Sequence, residues 1–214
     1  MQVCLASTSP ARLMLMRQVG VEPRLESPGV DEEAAVAARE AEDGRTLEPD
    51  EHVLFLARLK ADDVARRLAS EGFEGLVIGG DSMFEIGGEV LGKPHTVERA
   101  IARWRDMRGR TGVLHSGHSV IRIADGELTR ADAATQASVT FASDITDDEI
   151  AAYVATGEPL HVAGAFTIDS LGAPFIERIE GDPSTVIGMS LPALRRLARE
   201  LGVAWTEVAA HASQ

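Results

Sequence analysis

Apolar and polar positions follow two rhythms along the chain, and the switches between them predict its elements. Residues 2–6, reading QVCLA, form a short apolar run that predicts a buried strand. Ser7-Thr8-Ser9-Pro10 then stops the strand and opens a helix, because a hydroxyl cap followed by proline is a helix-entry signal. Leu13, Leu15, Met16 and Val19 continue the apolar positions until Gly20 ends the helix. An Ala- and Glu-rich stretch over 32–43 predicts a second helix. A third is expected over 50–70, with Val53, Leu54, Leu56, Ala57, Ala61, Val64 and Leu68 near one face.

The rhythm then changes. Residues 76–81 (LVIGGD) predict a buried strand that ends on an aspartate, and 84–91 a hairpin turning at Gly87-Gly88. A helix over 96–107 follows, with Thr96 as its cap. From 111 to 141 the pattern is β, with strands at 118–123 and 133–141 around a turn at Asp125-Gly126. Thr146 and Glu149 have the spacing of a capping box and open a helix over 146–156. A strand at 174–179 and a final helix at 191–201 complete the list, and residues 207–214 read as a frayed tail. Strands and helices alternate without repeats. This predicts the α/β class, a mixed twisted sheet flanked by helices, as one domain over 1–206 in two lobes.

Composition narrows the function. The formal net charge of −13 argues against a protein that wraps duplex nucleic acid, which needs a basic face. A small anionic substrate is still compatible, given a few local cations and a divalent metal. Aromatic residues are only 4%, so the core is expected to rest on Val, Ile, Leu and Ala. A single cysteine, Cys4, excludes an intrachain disulfide and fits a reducing cytoplasm. No signal peptide or membrane span is expected.

Four segments carry candidate chemistry, each with a plain structural alternative. Ser7-Thr8-Ser9 with Arg12 presents backbone N–H groups, a positive helix end and a guanidinium to an oxyanion; the alternative is a capped helix with a surface arginine. Asp31-Glu32-Glu33 suits a hard cation or an activated water; the alternative is a solvated acidic helix start. Asp81, at a strand end after Gly79-Gly80, suits a metal or a proton acceptor, with the glycines admitting a ligand; the alternative is a turn cap. Lys93, between Gly92 and Pro94, offers a stiffly held positive charge; the alternative is a hairpin end. Lys60 and Lys93 are the chain's two lysines, and both adjoin these segments. The six histidines (His52, His95, His115, His118, His161, His211) show no metal-binding spacing and read as structural or exposed. Cys4 reads as core.

Taken together, the segments LASTSPARLMLMRQVGV, GVDEE, LARLKA, VIGGDSMFEIGGEVLGKP, AIARWRDMRGRTGVLHSG and YVATGEPLHVAGAFTIDSLGAPFIERIEGDPSTVIGMSLPALRRLARELGV resemble the Maf family of nucleotide pyrophosphatases, in the family order from Val3 to Val203. The resemblance implies a fold of the inosine triphosphate pyrophosphatase type with a long cleft between lobes. It implies hydrolysis of a nucleoside triphosphate to monophosphate and pyrophosphate with Mg²⁺ or Mn²⁺, and a homodimer. It assigns Ser7, Ser9 and Arg12 to a phosphate loop, Glu32 and Asp81 to the acidic positions that hold metal, Asp81 to the proton acceptor, and Lys60 and Lys93 to the catalytic, phosphate-binding lysines.

The chain departs from the family pattern at several points. Ala11 replaces one arginine of a common SPRR. Asp169 stands where a subgroup acting on dTTP and UTP has Gln, and Ser82 where it has Thr. Those positions bear on base choice, so dTTP, UTP and modified nucleotides all stay open as substrates. The stretch 34–50 is longer than the pattern and is expected to form an extra helix over the cleft. Two other readings compete: a non-catalytic nucleotide sensor regulating cell division, and a phosphatase releasing terminal phosphate.

Overall fold

The computed structural model describes residues 1–209. Its first half follows the apolar rhythm closely. Strand β1 (Gln2–Ala6) leads into helix α1 (Pro10–Gln18), with Ser9 as N-cap. Strand β2 (Arg24–Glu26) is short and polar, which is why no apolar pattern marks it. Helix α2 (Glu32–Asp43) is capped by Asp31 and ends at Gly44, whose φ of 66° is the left-handed conformation that glycine supplies cheaply. Helix α3 (Pro49–Ser70) begins with a Glu48–Glu51 capping box and buries Val53, Leu56, Ala57, Lys60, Ala61, Val64, Ala65 and Leu68.

Strand β3 (Gly75–Ile86) is twice the expected length, so Asp81 lies within the strand and not at its end. The reason is β4 (Glu89–Leu91), which pairs antiparallel with residues 84–86 and keeps the chain extended past the aspartate. Helix α4 (Val97–Met107) is capped by Thr96. Strands β5 (Thr111–Ala124) and β6 (Glu127–Phe141) are also longer than their apolar segments. Asp125 and Gly126 join them with φ values of 52° and 78°, the backbone of a two-residue hairpin turn. Helix α5 (Asp147–Ala155) has the expected Thr146–Glu149 capping box. Strand β7 (Ile176–Glu180), helix α6 (Pro183–Ile187), helix α7 (Leu191–Glu200) and helix α8 (Trp205–Ala209) follow. Helix α7 is therefore not the last. The expected tail overlaps α8 up to Ala209, and the rest of it, His211 included, lies outside the described residues.

The seven strands form a mixed sheet flanked by helices, in the order β2-β1-β3-β5-β6-β7 with β4 on β3. Strand β1 runs parallel to β2 and β3, while β7 runs antiparallel to β6. No helix of the described residues is long and apolar enough to cross a membrane.

The described residues divide into two compact units, 1–81 with 116–135 and 188–209, and 82–115 with 136–187. Their cores differ in chemistry. The first unit packs small aliphatic side chains, among them Cys4, Ala6, Ala61, Val64, Ala65, Val77 and Ile121. The second is built on rings. Trp104 meets Phe141, Tyr153 and Phe175 edge-on or nearly so, with centroids 5.2–5.5 Å apart, and Phe84 packs on Phe141 and Phe166. Composition averaged over the chain hides this concentration: the aliphatic expectation describes most of the first unit's core, where Phe73 joins Val64, Leu68 and Ile121, and fails in the second.

Cys4 is fully buried, and burial foremost pushes its thiol up to about 12. Only the thiolate attacks electrophiles, so the native protein is expected to resist a thiol reagent at pH 8. One equivalent should react in urea; rapid labelling of the folded protein would show that β1 opens readily.

Candidate active site

The first unit buries two cations, Arg12 and Lys60, of a kind that cores ordinarily exclude, and sets Asp81 and Glu32 beside them. Arg12 is buried because the first turn of α1 points it back over β3. Its Nε donates to the Gly188 carbonyl at 2.9 Å and its Nη1 to Ser7 Oγ at 3.2 Å. Burial depresses the guanidinium pKa, and the negative charges of Asp81 and Glu32 oppose that. Gly80 leaves the room for it: a Cβ there would lie 3.3 Å from Arg12 Nε. Ser7 Oγ also accepts from the Ser9 N–H at 3.1 Å, and Ser9 Oγ accepts from the Arg12 N–H at 3.5 Å. Two donors expected to face a ligand are thus used within the loop itself.

Lys60 is the centre of the cluster. It occupies a position on the apolar stripe of α3, between Ala57, Ala61 and Val64, and only 9% of its side chain is exposed. A buried ammonium needs partners. It has two, Asp81 Oδ1 at 2.7 Å and Glu32 Oε2 at 2.8 Å. Glu32 opens α2 and keeps 44% of its side chain exposed, against 16% for Asp81. Asp31, beside it, is spent on capping, with Oδ1 accepting from the Ala34 N–H at 3.0 Å.

Of the glycine pair before Asp81, Gly80 faces Arg12 and Gly79 faces helix α3. A Cβ on Gly79 would lie 2.3 Å from the Ala57 carbonyl oxygen and 2.8 Å from the Ala61 nitrogen. Gly117 on β5 meets α3 in the same way, with Val53 O at 2.2 Å. Gly79 and Gly117 let α3 lie directly on the strands, which brings Lys60 to Asp81. Ser116, fully buried, has its hydroxyl 3.3 Å from both the Asp81 and Gly188 carbonyls. His118 is structural: Nε2 accepts from the Ser190 N–H at 2.8 Å, which places its proton on Nδ1 toward the Ala133 carbonyl.

The other expected residues belong to the second unit. Ser82 follows Asp81 on β3 and is half-buried. Lys93 is exposed and forms no ion pair among the described residues. Asp169 is exposed in an irregular stretch. His115 Nε2 lies 3.1 Å from Glu85 Oε2, and its Nδ1 is buried without a hydrogen-bond partner.

The family model described as Maf-like protein matches residues 2–201. The chain belongs to the Maf family. It is 57% identical to a nucleoside triphosphate pyrophosphatase of Leifsonia xyli subsp. xyli, over 97% of this chain and 96% of that protein. It is 51% identical to one of Salinispora tropica, over 95% and 85%, and 50% identical to one of Streptomyces coelicolor, over 97% and 94%.

In this Maf chain, Ser7, Ser9 and Arg12 form one hydrogen-bonded group, and Glu32, Lys60 and Asp81 a second beside it. Reading the sequence missed Ser116 and the Gly188 carbonyl. Serine is too common for type alone to mark it, and a carbonyl carries no side-chain signal. Among the described residues no group of three or more His, Cys, Asp or Glu side chains is gathered to hold a metal ion. Two carboxylates, Glu32 and Asp81, are nonetheless the hard oxygen donors that suit Mg²⁺ or Mn²⁺ bound jointly by protein, water and phosphate.

Proposed function

We infer that this protein is a nucleoside triphosphate pyrophosphatase, cleaving the α–β phosphoanhydride to give a nucleoside monophosphate and pyrophosphate. The observation that carries this reading is the Lys60 ammonium held between Asp81 and Glu32 in a chain that matches the Maf family almost end to end. Pairing with Lys60 needs only one carboxylate, and Asp81 beside Glu32 leaves a second available to act on water. Asp81 accepts the proton of the attacking water, whose oxygen bonds to the α-phosphorus. The bridging oxygen leaves with its electron pair as pyrophosphate. Lys60, Arg12 and the exposed Lys93 offset the phosphate charge, and Ser7 and Ser9 hold the loop that meets it. Glu32 and Asp81 would hold Mg²⁺ or Mn²⁺, which would supply further neutralisation of phosphate charge.

Ser82 and Asp169 are the base-selecting positions, with dTTP, UTP or a modified nucleotide as substrate. The net charge of −13 supports a protein that leaves nucleic acid alone. A cytoplasmic homodimer, with a link to septum formation, completes the proposal on family resemblance.

Products decide the matter. Incubation with a panel of standard and modified nucleoside triphosphates, with Mg²⁺ or Mn²⁺, is expected to yield monophosphate and pyrophosphate in equal amounts. Diphosphate with orthophosphate would identify a terminal phosphatase. Tight nucleotide binding without turnover would identify a sensor.

A further inference from the structure

Glu158 lies in the second unit, outside the cluster built on Lys60, and accepts five hydrogen bonds. Helix α5 ends before it, and Gly157, with φ 81°, turns the chain so that Glu158 faces back. Its Oε1 accepts from Tyr153 Oη at 2.8 Å, Thr167 Oγ1 at 2.6 Å and the Gly172 N–H at 3.2 Å. Its Oε2 accepts from Ser170 Oγ at 2.6 Å and the Leu171 N–H at 3.3 Å. Five donors therefore converge on one side chain, and four come from residues 167–172. None is a cation, so this is no ion pair. An ionised carboxylate is acceptor-only, which suits a ring of hydroxyl and amide donors. Burial alone would raise its pKa, but hydrogen bonds from Ser170, Thr167, Tyr153 and the Leu171 amide hold it below the ordinary carboxylate range.

The segment it gathers has little structure of its own. Single 3-10 turns at Ala163–Ala165 and Ala173–Phe175 bracket it, and Ala165 has a φ of 62° that side-chain-bearing residues rarely adopt. The packing around the carboxylate leaves no slack: a Cβ on Gly172 would lie 2.7 Å from Tyr153 Oη and from the Thr167 carbonyl. Asp169 is at the centre of the segment, exposed, with no hydrogen bond or ion pair among the described residues. A loop held this firmly beneath an uncommitted exposed acid is built for presentation, because discrimination between bases requires donors and acceptors fixed to about half an ångström.

We propose that Glu158 is the positioning residue of the nucleotide-selecting segment: its carboxylate locks residues 167–172 in the conformation that presents Asp169 to the nucleoside part of the substrate. The proposal rests on the reading of Asp169 as a base-selecting position. Glu158→Gln tests it with little change in shape. The amide retains one acceptor but turns an NH₂ toward Ser170 and Leu171. The Ser170 hydroxyl can rotate to accept, whereas the Leu171 N–H cannot, so the segment loosens while the ring core stays packed.

The full chain and its Glu158→Gln, Ser170→Ala and Asp169→Ala variants are assayed for pyrophosphate release across the nucleotide panel. Glu158→Gln is expected to shrink the ratio of kcat/KM between best and worst nucleotide by about tenfold, through KM, with kcat for the best substrate little changed. Ser170→Ala should move the ratio in the same direction by less, and it decides the matter if Glu158→Gln does not fold. An unchanged ratio, or a kcat that falls equally for every nucleotide, overturns the proposal. Asp169→Ala separates the two ways of failing. Unchanged selectivity there removes the base-selecting reading and the proposal with it. Altered selectivity there, with unchanged selectivity in Glu158→Gln, removes only the role of Glu158.

Discussion

Asp81→Asn is expected to lower kcat for pyrophosphate release by about 10²–10⁴-fold, the usual contribution of a positioned general base. The substitution preserves shape. Its amide oxygen can still accept from Lys60, now 2.7 Å from Asp81 Oδ1, and Glu32 keeps its own contact at 2.8 Å. What disappears is a negative charge able to take a proton from water. The same loss removes repulsion toward a triphosphate but also one of two metal-holding carboxylates, so with saturating metal KM should change far less than kcat. Steady-state kinetics beside equilibrium binding of a non-hydrolysable triphosphate analogue would show this split. A kcat within about threefold of the parent would remove Asp81 from the role of proton acceptor.

Gly79→Ala is expected to destabilise the protein by about 3 kcal/mol, the upper end for an overpacked core. The new methyl would fall 2.3 Å from the Ala57 carbonyl and 2.8 Å from the Ala61 nitrogen, both backbone atoms that cannot rotate aside. Helix α3 must retreat, and Lys60 is carried on the same turns of that helix. Activity is therefore expected to fall together with stability. Urea unfolding followed by circular dichroism measures the first effect, as a lower midpoint at unchanged slope. An unaltered midpoint would mean that α3 is free to shift away from β3.

The two predictions concern the same joint from opposite sides, one chemical and one steric, and they mark how far residue pattern reaches. Lys60 was legible because it is one of only two lysines, both adjoining the candidate segments, and because the family resemblance marks it. Its two partners were not legible as partners. Glu32 and Asp81 lie 28 and 21 residues from it along the chain, and nothing local records which carboxylates a buried ammonium will meet. Glu158 shows the same limit. Five donors, from Tyr153, Thr167, Ser170, Leu171 and Gly172, converge on it through hydroxyl and backbone amide groups, and nothing in the local sequence records which carboxylate they will share.

Local pattern determined the elements whose causes are local. Ser9 before Pro10, Thr96 before Val97 and the Thr146–Glu149 box each set a helix start, because the capping partners are within three residues of one another. The Asp125-Gly126 turn and the Gly87-Gly88 hairpin follow from backbone conformations that those residues tolerate. Residue order also determined the family, since several ordered segments agree where one alone would not. Tertiary structure alone decided where β3 ends, because pairing with β4 keeps it extended past Asp81. It decided that Gly79 serves the approach of α3, which depends on a helix backbone some twenty residues away. It also decided that six of the nine aromatic rings gather in one unit, where their contacts join residues 84 to 175. Hydrogen bonds within a turn depend on neighbours in sequence, whereas burial, strand pairing and charge pairing depend on neighbours in space.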